Sequence, residues 1–282
     1  MGYLLLVINA FAGLAEGIFI KKYNSKHPHG GFVFTAVISL FAAVFSALTD
    51  KGGFVVVPEM IPYAVISGIL YCVASILTYF ALSIGSFAMS MLILSYSIVF
   101  SIGYGVIFLH EAVSVLSAIG FGLLAVSLYL TRRDSVGGNF SLKWLVFIGV
   151  SVVGSGMFSV VTRMQQIRFE NAYNNECITI ALGLSAAFLL VAGLFTDGKF
   201  LKEILRYGMP YAAAAGAVNG LRNILGLVIC TFLPVSVSSA MGSGLKIVIS
   251  FVVSYFLFKE TFLKRQIVGV SIGAAALVLL NL

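Results

Sequence analysis

The sequence predicts an all-α membrane protein of ten transmembrane helices in two inverted five-helix repeats. Three observations lead there. The 282 residues are 60% hydrophobic and only 10% charged, with a mean hydropathy of +1.09; a soluble domain carries about 25% charged residues. The apolar residues gather in runs of bilayer-spanning length, roughly 17 to 25 residues for a helix. Motifs of the first half recur, in order, in the second.

The runs are Tyr3–Ile20, Phe32–Leu48, Pro62–Ser83, Phe87–Phe108, Ser114–Leu130, Leu142–Arg163, Cys177–Phe195, Pro210–Phe232, Val235–Phe258 and Gln266–Leu282, each broken from the next by charges, Gly or Pro. The first run lacks a basic segment before it and an A-x-A site after it, and it carries Glu16, so it reads as a retained helix rather than a signal peptide. Pro58, Pro62, Pro210 and Pro234 mark helix boundaries, where the missing N–H costs little. Helices satisfy every backbone polar group within lipid. The alternating pattern of a membrane β-barrel is absent from the sequence.

The repeat is visible at an offset of 148: Pro62-Tyr63-Ala64 recurs as Pro210-Tyr211-Ala212, Gly68 meets Gly216, Ile76-Leu77 meets Ile224-Leu225, and Ser90 meets Ser238. After a one-residue slip, Glu111 meets Glu260 and Gly120 meets Gly269; more loosely, Gly13 falls opposite Gly154. The expected organisation is a first repeat over 1–133, a linker over 134–141 and a second repeat over 142–282. Five is odd, so the second copy sits upside down relative to the first, an arrangement that in transporters puts the substrate near the bilayer midplane.

Charge sets orientation. Lys21, Lys22, Lys26, Arg132, Arg133, Lys143, Lys199, Lys202, Arg206, Lys259, Lys264 and Arg265 fall on one side, and Lys51, Arg163 and Arg168 on the other. The positive-inside rule assigns the first group to the cytoplasm and both termini to the outside. The net charge of +7 then reads as basic loops beside an anionic membrane face, not as a nucleic-acid surface. Cys72, Cys177 and Cys230 are far apart with no C-x-x-C pair, so neither a disulfide framework nor a zinc site is expected. His27-Pro28-His29 could bind a metal, but the reading preferred is a solvated loop. An intramembrane enzyme is disfavoured: there is no H-E-x-x-H or G-x-S-x-G, and Gly242-Ser243-Gly244 has no intramembrane His as base. No cofactor or metal is expected.

Glu16, Arg222 and Lys246 are full charges deep inside apolar runs. A charge there costs at least a few kcal/mol and faces a protein interior or a water-filled cavity. None is shared by the two halves: Arg222 corresponds to Ala74, Lys246 to Ile98, and Glu16 to Met157. A charge required by the common scaffold would recur, so the single copies point to a substrate-specific role; the competing reading is a self-satisfying ion pair. Asn219, Arg222 and Asn223 fall at i, i+3 and i+4 on one helix face. Their repeat partners Tyr71 and Ser75, with Tyr79 further along, share a face of the third helix. Tyr96, opposite Gly244 in the repeat, is a candidate cavity residue. Arg offers a planar fork for carboxylate or phosphate, and Asn adds neutral donors and acceptors. Glu111 and Glu260 are assigned to the scaffold, as anchors for the starts of the fifth and tenth helices.

This layout resembles the drug/metabolite transporter superfamily in its ten-helix EamA-type form. The marks are Glu, a short gap, then Gly, in two copies: Glu111 to Gly120, and Glu260-Thr261 to Gly269 with Gln266 before it; the first copy has Ser117 where that Gln stands. The stretch from Tyr71-Cys72-Val73-Ala74-Ser75 to Ile84 is similar to the small multidrug resistance proteins. Those relatives use a membrane-embedded Glu for protons and cationic drugs, and Ala15-Glu16-Gly17 followed by Lys21 resembles their first helix. The resemblance implies secondary transport, often export, of metabolites, amino acids, nucleotide-linked sugars or drugs. It also implies a proton-coupling role for Glu16. Family members are commonly drawn with both termini in the cytoplasm, opposite to the charge count.

The function expected from the sequence is secondary active transport by alternating access. The substrate expected is a small anionic or zwitterionic metabolite, such as an amino acid or organic acid, bound by Arg222, Lys246, Asn219, Asn223, Tyr71, Tyr79 and Tyr96, with Glu16 coupling protons. The alternative is a proton-coupled multidrug or cation exporter. The expected setting is the inner membrane of a bacterium; the partners are lipid and substrate, without nucleic acid. Two internal repeats can form a complete site in one chain, so a monomer is possible, and a homodimer is also compatible.

Overall fold

The computed structural model of the chain describes residues 2–27, 29–49, 53–108, 110, 115–131, 142–170, 172–232 and 235–279. The proposed linker 134–141 and Glu111 lie outside the described residues. Among the described residues the regular structure is helical, without strand. The long helices are α1 (Gly2–Asn24), α2 (Gly31–Leu48), α3 (Ile61–Ile84), α4 (Phe87–Ser95), α5 (Ile98–Phe108), α6 (Val115–Thr131), α7 (Leu142–Arg168) and α8 (Asn174–Thr196). A short irregular passage contains α9 (Leu201–Glu203); then come α10 (Met209–Phe232), α11 (Val235–Phe258) and α12 (Lys264–Leu279).

Among the described residues, six stretches are long and apolar enough to cross a membrane: Gly2–Asn24, Gly31–Leu48, Pro58–Ile84, Phe87–Phe108, Leu142–Arg168 and Asn174–Thr196. The protein is a multi-pass, all-α membrane protein. Its surface fits that solvent: Phe195, Leu48, Phe256 and Leu142 are more than 70% exposed, along with many other large apolar side chains. In water such an apolar surface would be an association or aggregation liability.

One run is broken where the sequence reads as continuous. Phe87–Phe108 is not continuous; α4 ends at Ser95 and α5 starts at Ile98. The chain tightens there, with Tyr96 N–H on Ile93 C=O, Val99 N–H on Tyr96 C=O and Phe100 N–H on Ser97 C=O, all spaced by three residues. Such 3₁₀-type bonds shorten and re-aim a helix.

Packing partners follow a pattern. α1 lies on α10 and α11, while α7 lies on α3, α4 and α5. α2 lies on α10, while α3 lies on α8. α2 also pairs with α8, and α6 with α12. Glycines make several of these close approaches possible, two of them against a carbonyl. A β-carbon on Gly216 of α10 would come 2.6 Å from the Ile38 carbonyl of α2, and one on Gly68 of α3 would come 2.9 Å from the Ala181 carbonyl of α8. Backbone cannot give way as a flexible side chain can, so any larger residue would force these helix pairs apart. The largest buried cluster joins α1, α2, α3, α4 and α10 through Leu14, Tyr23, Phe34, Tyr79, Leu82 and Phe87, with others.

Polar ties gather at the lysine-rich end of the bundle and link residues 1–133 with residues 142–282. The Asp197 carboxylate accepts from the Phe32 and Val33 N–H groups, at 2.9 and 3.2 Å, and so caps α2. His27 Nδ1 lies 2.5 Å from Glu203 Oε1, its ring stacked on Tyr23 and Tyr207. Arg265 Nε donates to the Leu130 carbonyl at 3.1 Å. Glu260 accepts from Ser86 Oγ at 2.5 Å, from Phe87 N–H at 2.7 Å and from Ala88 N–H at 3.4 Å, and also from Ser254 Oγ. This revises the sequence expectation. Glu260 is a scaffold residue, but it caps the start of α4 across the bundle rather than the start of its own next helix. The open N–H groups of a helix terminus attract a carboxylate from wherever the fold can supply one.

Candidate functional site

Glu16 sits on α1, Tyr71 on α3, Asn219 and Arg222 on α10, and Lys246 on α11. Because α1 packs between α10 and α11, its polar face meets theirs. Asn219 Nδ2 donates to Glu16 Oε1 at 3.0 Å and to the Tyr71 hydroxyl at 3.3 Å. Arg222 Nη1 stands 3.8 Å from Glu16 Oε2. That separation is longer than the 2.7–2.9 Å of a tight charge-assisted hydrogen bond. Asn219 is buried, at 3% exposure, whereas the Arg222 and Glu16 side chains retain 33% and 18%. The carboxylate is thus held by a buried amide while the guanidinium keeps free space around it.

Lys246 joins the group by way of Gly13. A β-carbon on Gly13 would lie 3.1 Å from Lys246 Cε, 3.4 Å from Arg222 Cδ and 3.7 Å from Lys246 Nζ. The stems of two cationic side chains therefore lie against α1 one turn before Glu16. Counting formal charges, the two cations and one carboxylate leave an excess of one positive charge. Among the described residues, Lys246 makes no side-chain hydrogen bond or close ion pair; an excess cation held partly away from water is unfavourable unless an anion or water meets it. The ring of Phe158 on α7 lies 5.7 Å from that of Tyr71, closing one side of the site.

Three sequence-predicted residues fall elsewhere. Tyr79 is 1% exposed and packs in the largest buried cluster, its ring 5.6 Å from that of Phe34. Tyr96 bonds Ser127 Oγ at 2.8 Å, and Ser127 in turn donates to the Gly269 carbonyl at 2.6 Å, so Tyr96 serves the contact of α4, α6 and α12. Ser75 donates to the Cys72 carbonyl of its own helix. Tyr79 stands two turns beyond Tyr71, and Tyr96 is aimed by the break between α4 and α5, which repeat spacing does not reveal. Asn223 lies on α10, with its side chain outside the described residues.

Two further residues belong near the site and were not singled out from the sequence. Gly13 is three residues before Glu16 on the same helix face, and that spacing was the available signal. Asn9, a turn earlier on that face, has a buried Oδ1 with no hydrogen-bond partner among the described residues. Such an orphan is uncommon in a native protein.

No family model matches the chain. No curated protein matches it significantly. One solved structure, described only as a crystal structure of a protein, superposes with a TM-score of 0.54 over 95% of this chain and 97% of its own, at 12% identity. At that identity the likeness speaks for the overall fold alone, and it extends over nearly the whole of both chains.

Proposed function

We propose that the chain is a secondary active transporter of the drug/metabolite, EamA-like type, with ten membrane-spanning helices in two inverted five-helix halves, working by alternating access. Its substrate is a small anionic or zwitterionic metabolite, such as an amino acid or organic acid, and its setting is a bacterial inner membrane. The observation that carries this reading is the meeting of Glu16, Asn219, Arg222, Tyr71 and Lys246 on four helices drawn from both halves. Membrane-buried charges that converge with one cation in excess suit recognition of a negative group.

The repeat reading has its own support. Asn219 and Tyr71 correspond at the 148 offset, and they bond to each other, as residues beside a two-fold axis would. Gly216 and Gly68, also paired by that offset, seat equivalent helix pairs. Exchanging the halves turns the α1–α10 contact into the α7–α3 contact and the α2–α10 contact into the α3–α8 contact. Under this reading Glu16 is the proton-coupling group: protonated, it frees Arg222 for substrate; ionised, it takes Arg222 back.

The test is thermal stabilisation of the detergent-purified protein by amino acids, organic acids, phosphorylated metabolites and quaternary ammonium compounds, followed by flux in proteoliposomes. A ligand bound to the folded state raises its apparent stability. Stabilisation and flux with an anion or zwitterion, lost in Arg222→Ala and Lys246→Ala, is the expected result. Stabilisation only by lipophilic cations, retained in both variants, would replace this reading with a cation exporter working through Glu16.

A further inference from the structure

We infer that Gly13 is a positioning residue for the acidic group of the substrate: it lets the Lys246 and Arg222 side chains lie side by side against the α1 backbone, where one monoanionic carboxylate bridges both. The inference rests on the transport-site reading above and adds a residue and a narrower ligand chemistry to it.

Three observations carry it. First, both cationic stems cross Gly13 so closely that a single β-carbon would stand 3.1 Å from one and 3.4 Å from the other. The Lys246 contact is tight and the Arg222 contact is at the van der Waals limit, so a β-carbon at 13 would displace the Lys246 stem and leave no slack beside Arg222. Second, the repeat supplies an internal comparison. Gly154 corresponds to Gly13, and Ala74 to Arg222. In that copy, a β-carbon on Gly154 would lie 3.2 Å from the Ala74 β-carbon and 3.4 Å from the Leu70 carbonyl, an apolar helix-to-helix contact. The scaffold thus closes there with small residues alone. Only the copy with Gly13 brings charges to this place, so those charges are not needed for packing. Third, the charge count selects the ligand. With Glu16 ionised, the two cations and its carboxylate leave one positive charge, which a monocarboxylate neutralises and a dianionic phosphate overshoots, so the count applies to binding before Glu16 takes up its proton. Asn9 Oδ1, buried and without a hydrogen-bond partner among the described residues, lies one turn away on the same face and offers an acceptor for a polar group next to that carboxylate. Asn219 holds Glu16, so Glu16 stays beside the bridge without being drawn wholly onto Arg222.

The experiment uses acetate and propionate as probes, with inorganic phosphate beside them. Affinity is read from concentration-dependent thermal stabilisation of the full chain in detergent. Wild type is expected to be stabilised by the monocarboxylates more than by phosphate. Gly13→Ala is expected to weaken acetate binding by about tenfold, the loss of one well-aligned charge-assisted hydrogen bond, while its ligand-free melting temperature is unchanged or higher, because alanine is the better helix former. Gly183→Ala, around which nothing lies within 4 Å, is the control and should leave binding unchanged. In a Lys246→Ala background, Gly13→Ala should weaken acetate binding by less than about twofold, since coupled residues are non-additive. Wild-type affinity in Gly13→Ala, or an equal loss with and without Lys246, overturns the inference and leaves the transport site standing. If phosphate is preferred over the monocarboxylates, the ligand chemistry proposed here is wrong. If no anion stabilises wild type, the site reading itself falls and takes this inference with it.

Discussion

Removing the Glu260 carboxylate should destabilise the bundle more than any other single change at its lysine-rich end. The side chain collects Ser86 Oγ, Phe87 N–H, Ala88 N–H and Ser254 Oγ. Two of these are open N–H groups of α4, and Ser86 is the residue that caps that helix, accepting from Met89 N–H. A hydrogen bond to a charged group contributes about 1.5–3 kcal/mol, and leaving its donor unpaired costs on the same order. The capping and dipole contributions add about 1 kcal/mol. Glu260 is only half-buried, so water replaces part of what is lost. The net expectation for Glu260→Ala is a loss of about 2–4 kcal/mol. Glu260→Gln keeps an acceptor oxygen without the charge and should lose about half as much. Equilibrium unfolding in mixed detergent micelles measures both. A coupling of about 1 kcal/mol between Glu260→Ala and Ser254→Ala in a double-variant cycle would tie the loss to these bonds. If Glu260→Ala unfolds within about 0.5 kcal/mol of wild type, the cross-bundle cap is not what holds the start of α4, and the reasoning fails.

Other perturbations reach the remaining links. Tyr71→Phe should lower stability by about 1 kcal/mol but have almost no effect once Asn219→Ala is present, which the same unfolding assay reads as a cycle. Gly216→Val and Gly68→Val should each cost at least about 1–3 kcal/mol, because each would drive a side chain into a carbonyl, whereas Gly183→Val should stay near neutral; a common effect at all three would dismiss the close-approach account. Asp197→Ala removes the acceptor of two α2 N–H groups and should cost about 1–2 kcal/mol, with faster amide exchange confined to the start of α2. If the chain is the proton-coupled transporter proposed above, Glu16→Gln should abolish flux driven by a pH gradient in proteoliposomes while leaving counterflow exchange of substrate measurable; unchanged gradient-driven flux would remove Glu16 from the coupling step.

Much of the architecture was legible in the chain because lipid leaves few options. A run such as Leu142–Arg163 has no stable spanning form other than a helix, and the structure continues that helix to Arg168. Likewise Asn219 and Arg222 had to share a face, since helical spacing dictates it. Gly68 and Gly216 stood out as a pair, though not what each would touch. The unusual depth of Glu16, Arg222 and Lys246 could be seen directly, because charge in an apolar run needs no fold to be anomalous.

Local spacing could not decide which helices are neighbours or where a side chain ends up once they pack. Tyr79 and Tyr96 looked like site residues, yet the packing of α1, α2 and α3 buries one, and the break between α4 and α5 turns the other toward Ser127. Glu260 looked like the anchor of its own next helix, but the nearest open N–H groups belong to α4, more than 170 residues away in sequence. Gly13 has no side chain to draw attention; its importance arises only because α10 and α11 bring two long cationic side chains across it. The sequence by itself determined the membrane class, the helical form and which residues are out of place in lipid, all of which follow from periodicity and solvation along one chain. Only the tertiary structure decided which of those residues meet, because contact between distant segments depends on helix packing and on the small residues that allow it.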